Sequence, residues 1–130
     1  MSEERVRVAI VGGGRTGTPL LQDFLSRPFI EVVGLADTDP NSPGAVLALE
    51  RDVPFVEDAT VFAERGDEID LIIEVSGDPT VKQRLKDAFV ERDNRTTIIV
   101  HDLTARLIIS LAADSQELLE SYHPSDRGIG

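Results

Sequence analysis

Six consecutive residues, Gly12-Gly13-Gly14-Arg15-Thr16-Gly17, have the spacing of a turn that cradles phosphate. Gly12 permits a tight passage from strand to helix, Gly14 lets the backbone approach a pyrophosphate, and Gly17 lets the helix pack closely on the strand. The free N–H groups and positive dipole end of the helix then face the anion. Arg15 either reaches that anion or stands in solvent in the first helical turn. Glycines at this spacing often arise by chance, so their surroundings decide what they mean.

Asp37 supplies those surroundings. It lies twenty positions past Gly17, at the end of the apolar run Val32-Val33-Gly34-Leu35-Ala36, where an acidic residue binds the ribose hydroxyls of a dinucleotide. A carboxylate there accepts hydrogen bonds from the ribose and repels a 2′-phosphate. Thr38 and Asp39 add no cation, so NAD(H) is favoured over NADP(H). The competing reading makes Asp37 a turn residue before Pro40, because Asp bonds readily to nearby backbone in turns. S-adenosylmethionine and coenzyme A also bind α/β sheets, but the spacing from Gly17 to Asp37 favours a dinucleotide.

Other chemistry is sparse. His101 falls at the C-terminal end of a predicted fifth strand, the edge where ligands of open α/β sheets bind. Beside Asp102 it is a candidate acid or base; the plainer reading is a polar strand exit followed by a helix N-cap. His123 precedes Pro124 at a helix end and is expected in solvent. Two separated histidines without clustered carboxylates give no metal-site spacing. The chain has neither a Gly-x-Ser-x-Gly elbow nor a Walker-type Gly-Lys-Ser/Thr, which argues against those hydrolases and P-loop NTPases.

The elements that must position these residues alternate. Apolar runs at 6–11, 31–36, 53–56, 69–75 and 97–100 read as strands, the first and fourth apolar enough to be covered on both faces. Between them lie a helix from near Pro19 to near Pro28, one capped by Ser42 with Pro43 first, a short one capped by Asp58 ending by Gly66, and one opened by Asp78-Pro79. A final helix is predicted from Leu103 to Pro124, carrying Leu107, Ile108, Leu111, Leu118, Leu119 and Tyr122. Right-handed crossovers then require a doubly wound parallel sheet in the order 3-2-1-4-5, with helices on both faces.

With 130 residues, 41% of them hydrophobic and 28% charged, the chain suits one domain with its own core. A formal net charge of -11 argues against unspecific binding to nucleic acid or to an anionic membrane, both of which need a basic face. The absence of cysteine removes disulfide and thiolate chemistry and suits the cytoplasm. No apolar run is long enough to span a bilayer, and the acidic start Met1-Ser2-Glu3-Glu4 is unlike a signal peptide.

Together, Gly14-Arg15-Thr16-Gly17, Ala36-Asp37 and Glu74-Val75-Ser76-Gly77 resemble the NAD-binding, N-terminal half of homoserine dehydrogenases, glyceraldehyde-phosphate dehydrogenases and the glucose-fructose oxidoreductase group, across most of the chain. The resemblance implies a Rossmann-like fold, with Ser76 and Gly77 as cofactor contacts near a ribose; by themselves they read as a helix-opening turn. Such enzymes draw their substrate pockets largely from a second domain, and none is expected after the last helix here. A stand-alone NAD(H)-binding or regulatory module is therefore expected, the alternative being an NAD-dependent oxidoreductase or the cofactor half of one.

A second likeness runs through Ala36-Asp37-Thr38-Asp39-Pro40, Pro43-Gly44, Glu74-Val75-Ser76-Gly77-Asp78, His101-Asp102 and Ala105-Arg106-Leu107. It resembles the Rossmann-like region ahead of PAS and histidine-kinase modules in bacterial sensors, although no PAS or kinase portion is expected from these 130 residues. The expected organisation is one dinucleotide-binding domain over 1–123 and a flexible tail over 124–130. The apolar stripe of the final helix buries on its own sheet or pairs two copies as a homodimer.

Overall fold

The computed structural model describes residues 4–125, so most of the expected tail, residues 126–130, lies outside the described residues. Five parallel strands form one sheet: β1 (Val6–Val11), β2 (Ile30–Ala36), β3 (Phe55–Val56), β4 (Leu71–Glu74) and β5 (Ile98–Val100). Their order is β3-β2-β1-β4-β5, as the alternation of strands and helices predicts. The strand order reverses beside β1, which pairs with β2 on one side and β4 on the other. Among the described residues the helices are α1 (Gly17–Leu25), α2 (Pro43–Glu50), α3 (Pro79–Glu91) and α4 (Asp102–Ala112), with a 3₁₀ segment over Ala59–Glu68.

β1 explains the layering. Successive side chains of a strand point to opposite faces, and Val8, Ala9, Ile10 and Val11 are all buried. Val8 and Ile10 pack with Leu20, Leu21 and Phe24 of α1, Ala48 of α2 and Ala105 of α4. Ala9 and Val11 pack with Phe62 and Ala63 of the 3₁₀ segment and with Leu85 and Phe89 of α3. Gly34 makes room on that second face, where a Cβ would stand 2.6 Å from the Phe62 ring.

The predicted caps form. Ser42 accepts from the Ala45 N–H with Pro43 following, and Asp58 and Asp78 each accept from the N–H two residues on, at Thr60 and Thr80. Several boundaries differ from the sequence reading. α1 starts at Gly17 rather than near Pro19, because the Gly14 carbonyl already accepts from the Thr18 N–H. The third strand is only Phe55–Val56, since Pro54 lacks a ladder N–H. The segment after Asp58 is 3₁₀ and runs to Glu68 through a kink at Gly66, whose φ is +59°.

The largest difference is α4, which stops at Ala112 instead of reaching Pro124. Asp114 follows with φ +54°, and the Ser115 N–H returns to the Ser110 carbonyl, so the chain reverses. Leu118, Leu119 and Tyr122 therefore belong to an irregular strand of chain, not to a helical stripe. Among the described residues no helix is long and apolar enough to cross a membrane.

One ion pair ties the start of β1 to the approach to β4: Arg7 donates to both Asp70 carboxylate oxygens from its side chain, and its main-chain N–H donates to one of them. The guanidinium bond is the main cause holding the Asp70 carboxyl below its ordinary value, with the main-chain bond assisting. A lowered folded pKa adds stability above the unfolded value of about 3.9, and that stability is lost as pH falls through the folded value. Asp70→Asn should therefore lower the melting temperature at pH 7, and the gap to the parent should close as pH falls below about 4, measured by thermal unfolding across pH.

Candidate functional site

At the exit of β1 the chain turns sharply. Gly12 has φ +109°, a conformation that L side chains rarely adopt, and its N–H donates to the Ala36 carbonyl at 2.7 Å. A Cβ there would stand 2.8 Å from the Ser76 nitrogen, so the turn also lies hard against the end of β4. A Cβ at Gly17 would run into the carbonyl oxygen of Gly12, which is why only glycine lets α1 begin this close to the strand. A Cβ at Gly14 would meet nothing within 4 Å. The three glycines thus divide the work by geometry: one bends, one stays bare and one packs.

Gly13 and Thr16 serve the framework. The Gly13 N–H donates to Asp37 Oδ2 at 2.7 Å, and its carbonyl accepts from the Gly44 N–H and the Thr18 hydroxyl. Thr16 is buried at the N-cap of α1 and makes no side-chain capping bond. Asp37, at the end of β2, also accepts from the Asp39 N–H through Oδ1 at 2.8 Å, the turn bond anticipated by the competing reading. Two main-chain donors therefore fix its carboxylate, and each oxygen keeps a further acceptor site.

Above the C-terminal ends of β1, β2 and β4 opens a cavity of about 690 Å³. Open α/β sheets bind ligands in this crevice, where the strand order reverses. Gly12, Gly14, Arg15, Asp37 and Ser76 border it; Gly13, Thr16 and Gly17 do not. Its charges are Arg15 and Arg84 against Asp37, Glu57, Asp58 and Asp78. Thr60, through its hydroxyl and then its N–H, holds the Asp58 carboxyl below its ordinary range, and Arg84 lies 3.4 Å from Asp58.

Ser76 and Gly77 part company. The Ser76 N–H and hydroxyl both donate to Glu74 Oε2, leaving Ser76 on the cavity. Gly77, with φ +75°, is covered: a Cβ there would run into the His123 ring. His123 is thus packed over the turn after β4 and borders the cavity, not in solvent at a helix end as expected.

His101 occupies the N-cap position of α4 but makes no capping bond, and its ring is largely buried. Its neighbour in space is Glu74, not Asp102: His101 Nδ1 lies 3.7 Å from Glu74 Oε1, while Asp102 Oδ2 is taken by Arg106 at 2.8 Å and Ser121 at 3.0 Å. Glu74 is fully buried, and its Oε1 and both His101 ring nitrogens have no hydrogen-bond partner among the described residues. The pair stands behind Ser76 and does not border the cavity. Arg84, Tyr122 and His123 are among the cavity residues that the sequence reading did not place there. Arg84 had a signal, being one helical turn beyond Val81 on the face of α3 that meets the crevice; the other two had none, because a tertiary reversal brings them there.

No protein-family model and no curated protein sequence matches the chain. Solved structures do. A myo-inositol dehydrogenase from Corynebacterium glutamicum is 25% identical, with a TM-score of 0.55 over 85% of this chain and 33% of that one. The WlbA dehydrogenase from Chromobacterium violaceum, solved with NADH and UDP-GlcNAcA, is 21% identical, with a TM-score of 0.57 over 88% and 33%. A homoserine dehydrogenase from S. aureus is 14% identical, with a TM-score of 0.52 over 77% and 33%. The fold is a Rossmann fold. The chain spans about a third of the length of these dehydrogenases, and the expected likeness to the nucleotide-binding portion of homoserine dehydrogenase and sugar-type oxidoreductases holds in the fold.

The glycine geometry separates two variants. Gly17→Ala should cost about 2 kcal/mol or more, because the clash is with backbone, whereas Gly14→Ala should stay within about 0.5 kcal/mol of the parent. Urea unfolding of the two variants beside the parent measures the contrast.

Proposed function

We propose that the chain binds NAD(H) as a Rossmann nucleotide-binding module. The observation that carries this reading is the bare backbone at Gly14, open to a cavity at the strand-order reversal, with a fastened carboxylate at Asp37 on the neighbouring strand. The Gly12–Gly14 backbone and the start of α1 would hold the pyrophosphate, with Arg15 adding charge. Asp37 would take the adenosine ribose through its remaining acceptor sites, and Ser76 would border the ligand from β4. Glycine at 14 fits the group: any side chain there projects into the space the phosphates need.

The acidic wall decides between cofactors. Asp37, Glu57 and Asp58 face the same cavity, and Arg84 already has Asp58 as its partner. A 2′-phosphate placed there meets negative charge worth about 1–4 kcal/mol per pair at contact distance, so NAD(H) is preferred to NADP(H). When bound, a nicotinamide dinucleotide supplies hydride chemistry; these residues supply position and charge.

A second reading, the cofactor half of an NAD-dependent oxidoreductase, draws on Glu74 and His101. Glu74 is fully buried and faces His101 at the ends of β4 and β5, and polar atoms of both lack partners among the described residues, which is costly to keep; a polar positioning role behind Ser76 would justify it. The fold's coverage of about a third of each dehydrogenase is compatible with either reading. Pairing of two copies through α4 accompanies the proposal, since Leu103, Leu107 and Leu111 recur every four residues and are 50%, 50% and 71% exposed.

Thermal unfolding with NAD, NADH, NADP, S-adenosylmethionine and coenzyme A tests the ligand. NAD(H) at about one hundred times its Kd should stabilise the chain by about 2.7 kcal/mol, and Gly14→Val should abolish that shift while keeping the fold. No shift with any NAD(H) concentration below millimolar would overturn the reading. Asp37→Asn should narrow the preference for NAD over NADP by about tenfold in titration calorimetry. Leu107→Glu should keep the far-ultraviolet circular dichroism of the parent and move the sedimentation coefficient from dimer to monomer.

A further inference from the structure

Beyond α4 the chain does not leave the domain. Residues 118–124 return across the top of the sheet, tied down in sequence: the Leu119 N–H donates to the Ser110 hydroxyl at 2.8 Å, and its carbonyl accepts from Arg106 at 3.1 Å. The Ser121 hydroxyl donates to Asp102 at the start of α4, and the His123 N–H donates to the Ser121 hydroxyl. His123 then covers Gly77 at the end of β4, and the Tyr122 ring lies under the Arg15 guanidinium with 4.9 Å from its carbon to the ring centre. This strap crosses the ends of β5 and β4 and finishes against the phosphate turn.

A doubly wound sheet has two mononucleotide halves, and a dinucleotide spans the reversal with one nucleotide over each. Here the open cavity lies above β1 and β2 with Asp37 on its wall and runs as far as Ser76 at the end of β4, where Tyr122 and His123 of the strap border it. The half over β4 and β5 is where the strap sits. Beneath that half lie the partnerless polar atoms of Glu74 and His101, with Asp102 Oδ1 beside them. Buried polar atoms lacking partners mark a place built for polar company, and the strap brings them none.

We propose that residues 118–124 hold the place of the second nucleotide. The free chain then takes the adenosine diphosphate portion of its ligand directly, and admits a full dinucleotide only by releasing Tyr122 and His123. This rests on the nucleotide reading above and adds its regulation. Dinucleotide affinity is reduced by the fraction of molecules whose strap is open, whereas adenosine diphosphate affinity is not. Binding of NAD thereby becomes a signal carried by the chain after α4: a segment docked without dinucleotide is released with it.

Tyr122 is the single tyrosine, so 3-fluorotyrosine incorporation gives one fluorine resonance that reports on the strap in the full chain. ADP and NAD are titrated separately into this protein, and their dissociation constants are measured by calorimetry for the parent and for Tyr122→Ala/His123→Gly. The expected results are a Tyr122 resonance that moves to an exposed position with NAD but keeps its docked position with ADP, and a ratio of NAD to ADP dissociation constants that falls by about tenfold in the double variant. Binding of both ligands with the same resonance and an unchanged ratio would overturn the strap and leave the nucleotide site standing. Binding of neither ligand by parent or variant would overturn the nucleotide reading and the strap with it.

Discussion

A single missing methyl group holds the arrangement together. Gly17 passes so close to the Gly12 carbonyl that a Cβ cannot be accommodated, and this contact lets α1 begin directly at the exit of β1. The helix can then aim its unpaired N–H groups at the crevice. Gly12 must bend with positive φ to bring the chain there, and its close approach to Ser76 sets β4 against the same turn. Any side chain at these positions would push helix, turn and neighbouring strand apart, and the bare edge at Gly14 would no longer face an enclosed space.

Around that contact the hydrogen bonds are arranged to hold a carboxylate, not to neutralise it. Asp37 accepts from Gly13 and Asp39, which orients it without using all its acceptor capacity. The bond from Gly13 also ties the end of β2 to the glycine turn, and the Gly13 carbonyl ties α2 to the same point through Gly44. Sheet, turn and two helices meet within a few residues. This explains how a wall with four carboxylates and two arginines keeps its shape: much of its charge is anchored by local backbone donors, as Asp58 is by Thr60.

The parts legible in the sequence are those set by neighbours along the chain. Strand order follows from alternating apolar runs and helical stripes, because a parallel crossover has one hand. Ser42, Asp58 and Asp78 could be read as caps because a side-chain oxygen reaches only an N–H two or three residues away. The roles of Gly12, Gly14 and Gly17 follow from their spacing, which encodes one turn, one open edge and one close contact. The end of α4 was not legible: the stripe of Leu107, Leu111, Leu118 and Tyr122 continues past Ala112 in the sequence, while Ser110 and Arg106 capture the Leu119 backbone and reverse the chain.

By itself, then, the sequence determined an α/β sheet wound both ways about β1 and a glycine turn with an acidic residue one strand away, since periodicity and local turn chemistry decide those. Tertiary structure alone decided which side chains share the crevice. It set Arg84 against Asp58, turned His101 toward Glu74 instead of the adjacent Asp102, and laid His123 over Gly77. Those pairs are separated by 26 to 46 positions and joined by packing, and no pattern along a chain specifies where a reversal such as the one after α4 will land.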